Sequence, residues 1–452
     1  MIVSKTNEEA LESCIESSLL EQGFVRGENK DFNKDYAIDE KIFWGFLESS
    51  QADELEKLKK DPQYKLKIIQ RLDKMIKKYG ILKILKKGLD VDDAHFKFFF
   101  IAPLASSGEE LQKRFASNVF SVTRQVTFSK TNPLLELDMV LFINGLPIIT
   151  MELKNHWTGQ NARVHGINQY KFKRDITQPL LNFGRCIVHF AIDTDEIYMT
   201  TKLDGAKTFF LPFNLGNNFG KGNPANPFGH KTAYFWQEIL KKESIANIIQ
   251  HFVRFDGGEK EPLSKKTLYF PRYHQLDVVR RLIKDTSSNG AGKKYLIQHS
   301  AGSGKSNSIT WLAYQLIEVY PENTNSAKNK DSNEPLFDSV IVVTDRRLLD
   351  KQLRENIKEF SEVKNIVAPA YSSSDLKSAL ENGKRIIVTT IQKFPFIVNG
   401  IDDMSNKQFA VIIDEAHSSQ SGTSADNLNR ALGSNEDIDA EDYQDKILEM
   451  MK

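Results

Sequence analysis

Cysteine is nearly absent: Cys14 and Cys186 are the only two in 452 residues. They lie far apart and without CxxC spacing, so neither a disulfide framework nor a structural zinc is expected, and a reducing cytoplasm is the natural setting. Apolar runs are short. None approaches the ~18 residues that cross a bilayer, and Met1-Ile2-Val3-Ser4-Lys5 lacks the apolar core of a leader, so neither membrane spanning nor export is expected. Charge of one sign is missing too, since the net charge is +1, and the chain as a whole carries no polycationic signature of nucleic-acid binding. No internal repeat is evident. With 40% hydrophobic and 27% charged residues, neither a disordered nor a fibrous chain fits, and 452 residues exceed one compact core, so two or three domains are expected.

Charge is instead patterned by region. Lys57 to Lys87 is rich in Lys and Arg, whereas Glu436 to Asp445 is acidic. Leu11, Ile15, Leu19 and Leu20 recur at helical spacing and Gly23 supplies a stop, which predicts a first helix from about Asn7 to Gln22. Leu58 to Leu85 reads as one or two amphipathic helices with a basic face, which could be a DNA contact or merely a solvated surface. Strand-like runs follow at Phe96–Ile101, Leu134–Ile143, Pro147–Leu153 and Cys186–Ile192. The segment Asn214 to Gly229 is so rich in Gly, Asn and Pro that a linker is expected there, with a bridging helix from Ala233 to Phe252. Beyond Lys266, β-branched runs at Tyr295–Gln298, Ser339–Thr344, Arg385–Thr390 and Phe409–Ile413 alternate with helical stretches, the pattern of buried parallel strands in a doubly wound α/β domain. Ser326 to Pro335 is a polar insertion between a helix and the next strand. The expected division is therefore 1–213, a connecting segment 214–265, and 266–452.

Two constellations carry chemistry. His299-Ser-Ala-Gly-Ser-Gly-Lys-Ser306 stands between an apolar run and a helical pattern, the setting a phosphate-binding loop needs. Gly302 and Gly304 allow the backbone, with Ser303, to curl its N–H groups toward phosphate oxygens; Lys305 suits the β- and γ-phosphates and Ser306 suits Mg²⁺. Farther on, Ala410-Val-Ile-Ile-Asp-Glu-Ala-His417 puts Asp414 at a strand end, where a Mg²⁺-holding acid belongs, with Glu415 beside it to polarise an attacking water. ATP and Mg²⁺ are the implied cofactors.

The other constellation is Asp138, Glu152 and Lys154, on two strand-like runs joined by Asn144-Gly145. Two carboxylates can hold Mg²⁺ against a scissile phosphate, and a lysine stabilises the developing charge. Period two puts Glu152 and Lys154 on one strand face. For Asp138 to share it, the loop must hold an odd number of residues, so a three-residue hairpin Asn144-Gly145-Leu146 with Gly145 at positive φ is expected; Ile143 paired with Leu146 would defeat that geometry.

These motifs resemble known families. DEAH after an apolar strand is similar to motif II of superfamily 2 helicases; Pro271-Arg-Tyr-His-Gln275 resembles their Q motif, which implies that Gln275 contacts adenine, and Val343–Arg347 and Thr389–Lys393 resemble their strand-end loops on the nucleic-acid backbone. Asp138, Glu152 and Lys154 resemble a PD-(D/E)xK nuclease set. Taken in order over essentially the whole chain, they resemble the restriction subunit of type I restriction-modification systems: an α/β chain with a PD-(D/E)xK endonuclease domain, then the first RecA-like domain of a motor. Phe209–Asn214 and Lys231–Phe235 resemble linker sequence of that family. The family also carries a Gln with an aromatic four residues later. Here Gln169 has Lys173 at that place and Tyr170 beside it. The resemblance implies ATP-driven translocation of double-stranded DNA, Mg²⁺-dependent cleavage, and assembly with methyltransferase and specificity subunits. No candidate for a second RecA-like domain appears before Lys452, so an incomplete motor is expected. Two other readings stay open: a non-catalytic remnant that only docks on DNA or the methyltransferase, and a helicase-like ATPase whose hairpin is structural.

Overall fold

The computed structural model describes residues 2–103, 108–155, 159–258, 260–300, 302–322, 334–344, 367–370, 372–381, 383–390 and 407–414. It divides into two compact units, Met1–His274 and Gln275–Lys452.

The first unit opens with α1 (Ile2–Glu21), whose Leu11, Ile15 and Leu19 are buried, and Gly23 at φ +83° ends it. After β1 (Val25–Arg26) and the small hairpin β2 (Phe32–Asn33) and β3 (Ile38–Asp39), Asp39 caps α2 (Glu40–Ser50) by accepting from the Ile42 N–H at 3.0 Å. Three helices follow: α3 (Ala52–Leu58), α4 (Tyr64–Tyr79) and α5 (Ile81–Lys87), the last two parted by Gly80 at φ +82°. Five of the cations in this basic stretch pair with nearby acids: Lys57 with Glu54, Lys59 with Glu56, Lys65 with Glu48, Lys67 with Asp92 and Lys77 with Asp73. That is the signature of a solvated charged face. Then come the hairpin β4 (Leu89–Val91) and β5 (Ala94–Phe96) and helix α6 (Glu109–Ala116). The strand run expected at Phe96–Ile101 therefore ends at Phe96.

The core of the unit is a seven-stranded sheet. Its later strands are β6 (Phe120–Thr127), β7 (Glu136–Ile143), β8 (Leu146–Leu153), β9 (Val188–Ile192), β10 (Ile197–Thr200) and β11 (Leu211–Pro212), ordered β1-β6-β7-β8-β9-β10-β11. β6, β7 and β8 meander antiparallel, while β8 pairs parallel with β9. Every residue of β8 is buried, so the strand lies at the centre and not at an edge.

The stretch expected as a linker packs back on this unit. Tyr234 donates to the Phe213 carbonyl, Thr232 Oγ1 donates to the Asp193 carbonyl at 2.7 Å, and the rings of Phe190 and Phe235 lie 4.7 Å apart. The single helix expected over Ala233–Phe252 is a π-helical turn at Phe235–Ile239, α7 (Lys242–Asn247) and a second such turn at Ile248–Phe252. β12 (Arg254–Asp256) and β13 (Thr267–Tyr269) pair beyond it.

In the second unit, which α8 (Tyr273–Asn289) enters, α9 (Lys305–Leu316) precedes β14 (Ser339–Thr344), β15 (Val367–Pro369), α10 (Ser373–Glu381), β16 (Ile386–Thr390) and β17 (Phe409–Ile413). The four strands form a parallel sheet in the order β15-β16-β14-β17. Val340, Val342, Ile386 and Val388 pack with Ile309, Ala313 and Leu316, whereas Ile341, Val343 and Ile387 pack with Leu376 and Leu380. Among the described residues α9, joined by Ile283 of α8, covers one face and α10 the other, which is why these strands read as unbroken apolar runs.

The run Tyr295–Gln298 departs from its expected strand. It joins no ladder, and Tyr295, Leu296 and Ile297 are 42%, 65% and 40% exposed. Tyr295 Oη (2.6 Å) and Lys293 Nζ (3.0 Å) are tied to the Asp285 carboxylate at the end of α8, which holds the run along that helix. Apolar β-branched sequence marks a strand only where a neighbour takes up its backbone groups. Ser326–Asn333, Asp345–Arg347, Ile391–Lys393, Glu415, His417 and Glu436–Asp445 lie outside the described residues. Among the described residues, no helix is long and apolar enough to cross a membrane.

Candidate functional site

The hairpin that carries Asp138 and Glu152 does not turn as expected. Ile143 pairs with Leu146, so the loop is the two residues Asn144 and Gly145, at φ +51° and +80°, a type I′ turn. The three-residue loop is therefore incorrect, although Gly145 does adopt positive φ. The odd residue comes from within β8 instead. Phe142 pairs with Pro147 and Leu141 with Ile149, which leaves Ile148 as a bulge. Pro147, with no N–H to give a ladder, suits a strand beside a bulge, and the Ile148 carbonyl is taken by the Ile187 N–H at 2.9 Å. Past the bulge, Val140 pairs with Thr150 and Met139 with Met151; the same register continued one step sets Asp138 opposite Glu152 on one face, and the Asp138 charge acts on Glu152. The face relation survives by a different device.

The turn itself is fixed by burial. Asn144 is fully buried; its Nδ2 donates to the Phe98 carbonyl and to Asn118 Oδ1, both at 3.0 Å, and its Oδ1 accepts from the Val119 N–H at 2.6 Å. A side chain at Gly145 would strike the Asp39 carbonyl and Phe43 of α2.

At the site, Asp138 Oδ2 accepts from the Leu153 N–H at 2.6 Å and lies 3.9 Å from Lys154 Nζ. Lys154, 4% exposed, donates to the Leu153 carbonyl at 2.6 Å and approaches Glu8 Oε1 at 3.5 Å. Glu152 is fully buried, and both its oxygens accept from the Arg174 guanidinium, with Nη2–Oε2 at 3.0 Å. Burial, then Asp138, push the Glu152 carboxyl upward against the pull of Arg174 and Lys154.

Four charged partners were missed from sequence: Glu8, Glu12, Arg124 and Arg174. Glu8 and Glu12 stand one turn apart on α1. Burial, then Asp138, raise Glu12 to about 7, with Arg124 and Gln125 opposing; Arg124 Nε and Gln125 Nε2 donate to it at 2.9 and 2.6 Å. Gln125 adopts φ +49° between the pairs Arg124–Met139 and Val126–Leu137, and the register does not change across it. Their only legible signal was the i,i+4 spacing of Glu8 and Glu12.

Gln169 opens a π-helical turn, Gln169–Lys173, and is half-buried; the residue from this segment that reaches the carboxylates is Arg174. Tyr170 is buried, with its hydroxyl 2.8 Å from Thr150 Oγ1, which also meets His189 Nδ1 at 2.7 Å. Burial holds His189 neutral, at about 3. Thr150 lies two residues before Glu152, so this network is a buried floor beside the carboxylates.

Asp138 and Glu152 are hard oxygen donors, and the Leu153 carbonyl accepts from the same Lys154 that approaches Asp138, a set suited to Mg²⁺ or Mn²⁺. Among the described residues no three acidic, His or Cys side chains form a ready cage. The positive charge that the carboxylates call for is supplied by the chain itself, through Arg174 and Lys154.

In the second unit, Gly302 and Gly304 adopt φ +73° and +84°, and Gly304 leads into α9 at Lys305. Gln275, buried, donates from Nε2 to the carbonyls of Ser303 (3.1 Å) and Gly304 (3.0 Å), so it braces the loop backbone. A side chain at Gly304 would strike that amide. Ser306 follows Lys305 in the first turn of α9. Lys305 Nζ lies 3.1 Å from the carboxylate of Asp414, which is buried directly after β17. Two of the elements for phosphate and metal thus meet.

Residues 5–208 match the family described as type I restriction enzyme R protein N terminus (HSDR_N), and residues 274–438 match SWI2/SNF2 ATPase. Curated relatives include a putative type I restriction enzyme MjaVIIIP endonuclease subunit of Methanocaldococcus jannaschii, 27% identical over 71% of this chain and 31% of its own length. The type I restriction enzyme HindI endonuclease subunit of Haemophilus influenzae is 25% identical over 63% of this chain and 26% of its own. The type I restriction enzyme SsaAORF53P endonuclease subunit of Staphylococcus saprophyticus is 26% identical over 69% and 30%. The chain therefore spans less than a third of the length of these relatives. An HSDR_N region followed by a SWI2/SNF2 ATPase region makes this chain similar to the N-terminal part of a type I restriction enzyme R subunit.

Proposed function

We propose that the first unit is the divalent-metal-dependent endonuclease region, of PD-(D/E)xK type, of a type I restriction subunit. The second unit is read as the nucleotide-binding RecA-like first half of its ATP-driven motor. The observation that carries this reading is the bulge at Ile148, which brings Asp138 across from Glu152 with Lys154 at 3.9 Å from Asp138. Asp138 and Glu152 would hold the cation, which when bound activates water and neutralises charge on the scissile phosphate. Lys154, buried and already aimed at Asp138, orients the nucleophile or stabilises the charge developing on phosphate. The Leu153 N–H fixes the Asp138 carboxylate in place, and the Thr150–Tyr170–His189 floor excludes water beneath Glu152. Gln169 stands at the rim.

In the second unit, Gly302, Ser303, Gly304, Lys305 and Ser306 would take the phosphates of ATP, Gln275 the adenine side of the loop, and Ser306 with Asp414 the Mg²⁺, with Glu415 polarising water. Double-stranded DNA is the substrate, methyltransferase and specificity subunits are the partners, and the cytoplasm is the location. A second reading, a docking remnant without catalysis, is favoured by Arg174 covering both oxygens of Glu152. Nicking of supercoiled plasmid with Mg²⁺ or Mn²⁺ separates the two. The nuclease reading expects Asp138→Ala and Lys154→Ala each to lose on the order of a hundredfold or more of the nicking rate. Equal background in all three proteins leaves the remnant.

A further inference from the structure

Arg174 was not expected at the site, yet its guanidinium makes the most complete ion pair there. Its side chain is 8% exposed and Glu152 is 0% exposed, with Nε on Oε1 and Nη2 on Oε2. The parallel fork takes up both oxygens, and a carboxylate so engaged has its best lone pairs spent. Asp138 is engaged more loosely, by one N–H and an ammonium at 3.9 Å. Around the two proposed metal-binding carboxylates the chain therefore already places two positive charges, and a divalent cation added to that set meets repulsion in a buried, low-dielectric place. Direct ligation by the Glu152 oxygens requires the guanidinium that occupies both of them to withdraw. Lys154 is enclosed, whereas Arg174 enters from a partly exposed backbone at the end of the Gln169–Lys173 turn, beside exposed Phe172 and Lys173.

We propose, resting on the nuclease reading, that Arg174 is a built-in counter-ion of Glu152 that a divalent cation must displace, so that it sets the metal concentration at which the site loads. Arg174 is thus a positioning residue. It keeps the buried carboxylate aimed and compensated, and it lowers apparent metal affinity by the fraction of molecules in which it stays in place.

Mn²⁺ itself is the probe, its free concentration followed by electron paramagnetic resonance in titrations of the whole 452-residue chain without nucleotide. The component of binding lost in Glu152→Gln reports the site. For Arg174→Gln that component is expected to tighten roughly tenfold. Arg174→Lys, which keeps the charge but offers a point in place of a fork, is expected to fall between, and it carries the test if Arg174→Gln does not fold. Unchanged or weaker Mn²⁺ binding in Arg174→Gln, or in Arg174→Lys where that variant carries the test, overturns the proposal while the nuclease reading stands. Binding that Asp138→Asn and Glu152→Gln leave untouched removes the metal site altogether, and the proposal with it.

Discussion

The two candidate sites are built by opposite means. Around Asp138 and Glu152 the backbone is buried and fixed: β8 is covered along its whole length, the Asn144–Gly145 turn is locked beneath α2, and the carboxylates are held by Leu153, Lys154 and Arg174. Around Lys305 the loop stands open. Among the described residues nothing lies within 4 Å of where a side chain at Gly302 would begin, and the apolar run ahead of the loop is exposed. The first site is thus limited by displacing what the chain already supplies, and the second by assembling what it leaves apart. A rigid scaffold positions catalytic groups, while open glycine loops close on ligand.

The largest expected effect that tests this contrast is at the open site. Lys305→Ala removes a cation proposed to face the phosphates, a charge-assisted contact worth about 2–3 kcal/mol, so affinity for a fluorescent ATP analogue should fall roughly 50-fold. Unaltered affinity would end the nucleotide reading of the second unit. Next come the two glycines. Gly145→Ala must place a methyl group 2.6 Å from the Asp39 carbonyl and 2.7 Å from Phe43 at φ +80°. Gly302→Ala meets only the φ penalty, in open space. Losses of about 3 and about 1 kcal/mol respectively are expected in denaturant unfolding. Equal costs would mean that the first hairpin is no better enclosed than the second loop.

Residue types were legible in the sequence and the devices that align them were not. Asp138, Glu152 and Lys154 follow from chemistry and period two, and the apolar runs of β14 and β17 match their strands to the residue. The odd step that faces Asp138 toward Glu152 was placed in the loop, whereas it sits at Ile148. A bulge leaves no mark on an apolar run, although Pro147 beside it was a hint that a ladder bond is missing there. Arg174 was illegible for another reason. Its role depends on where a π-helical turn delivers the chain, and five residues beyond Gln169 is a spacing that no α-helical or strand period brings to one face. Gln275 shows the reverse case, since its position was clear but its amide braces the loop carbonyls. Tyr295–Gln298 shows that an apolar run predicts burial only if a partner edge is within reach.

The finest test of the contrast is the pH dependence of stability. In the first unit, burial raises Glu12 to about 7 and also drives Glu152 upward. Between the unfolded value near 4.5 and these raised values, the native state binds protons that the unfolded state has released. With fewer protons on the unfolded chain, stability must fall as pH climbs through that window, the reverse of a carboxylate whose ion pair outweighs its burial. In chelator, melting of the first unit is expected about 2–4 °C lower at pH 8 than at pH 5.5, and Glu12→Gln should flatten the slope. A bound divalent cation favours the ionised carboxyls, so the gain in melting temperature from Mn²⁺ should be larger at pH 8 than at pH 5.5. A slope of opposite sign, or one that Glu12→Gln leaves intact, would show that these carboxyls are compensated by Arg124 and Arg174 more fully than their burial opposes them.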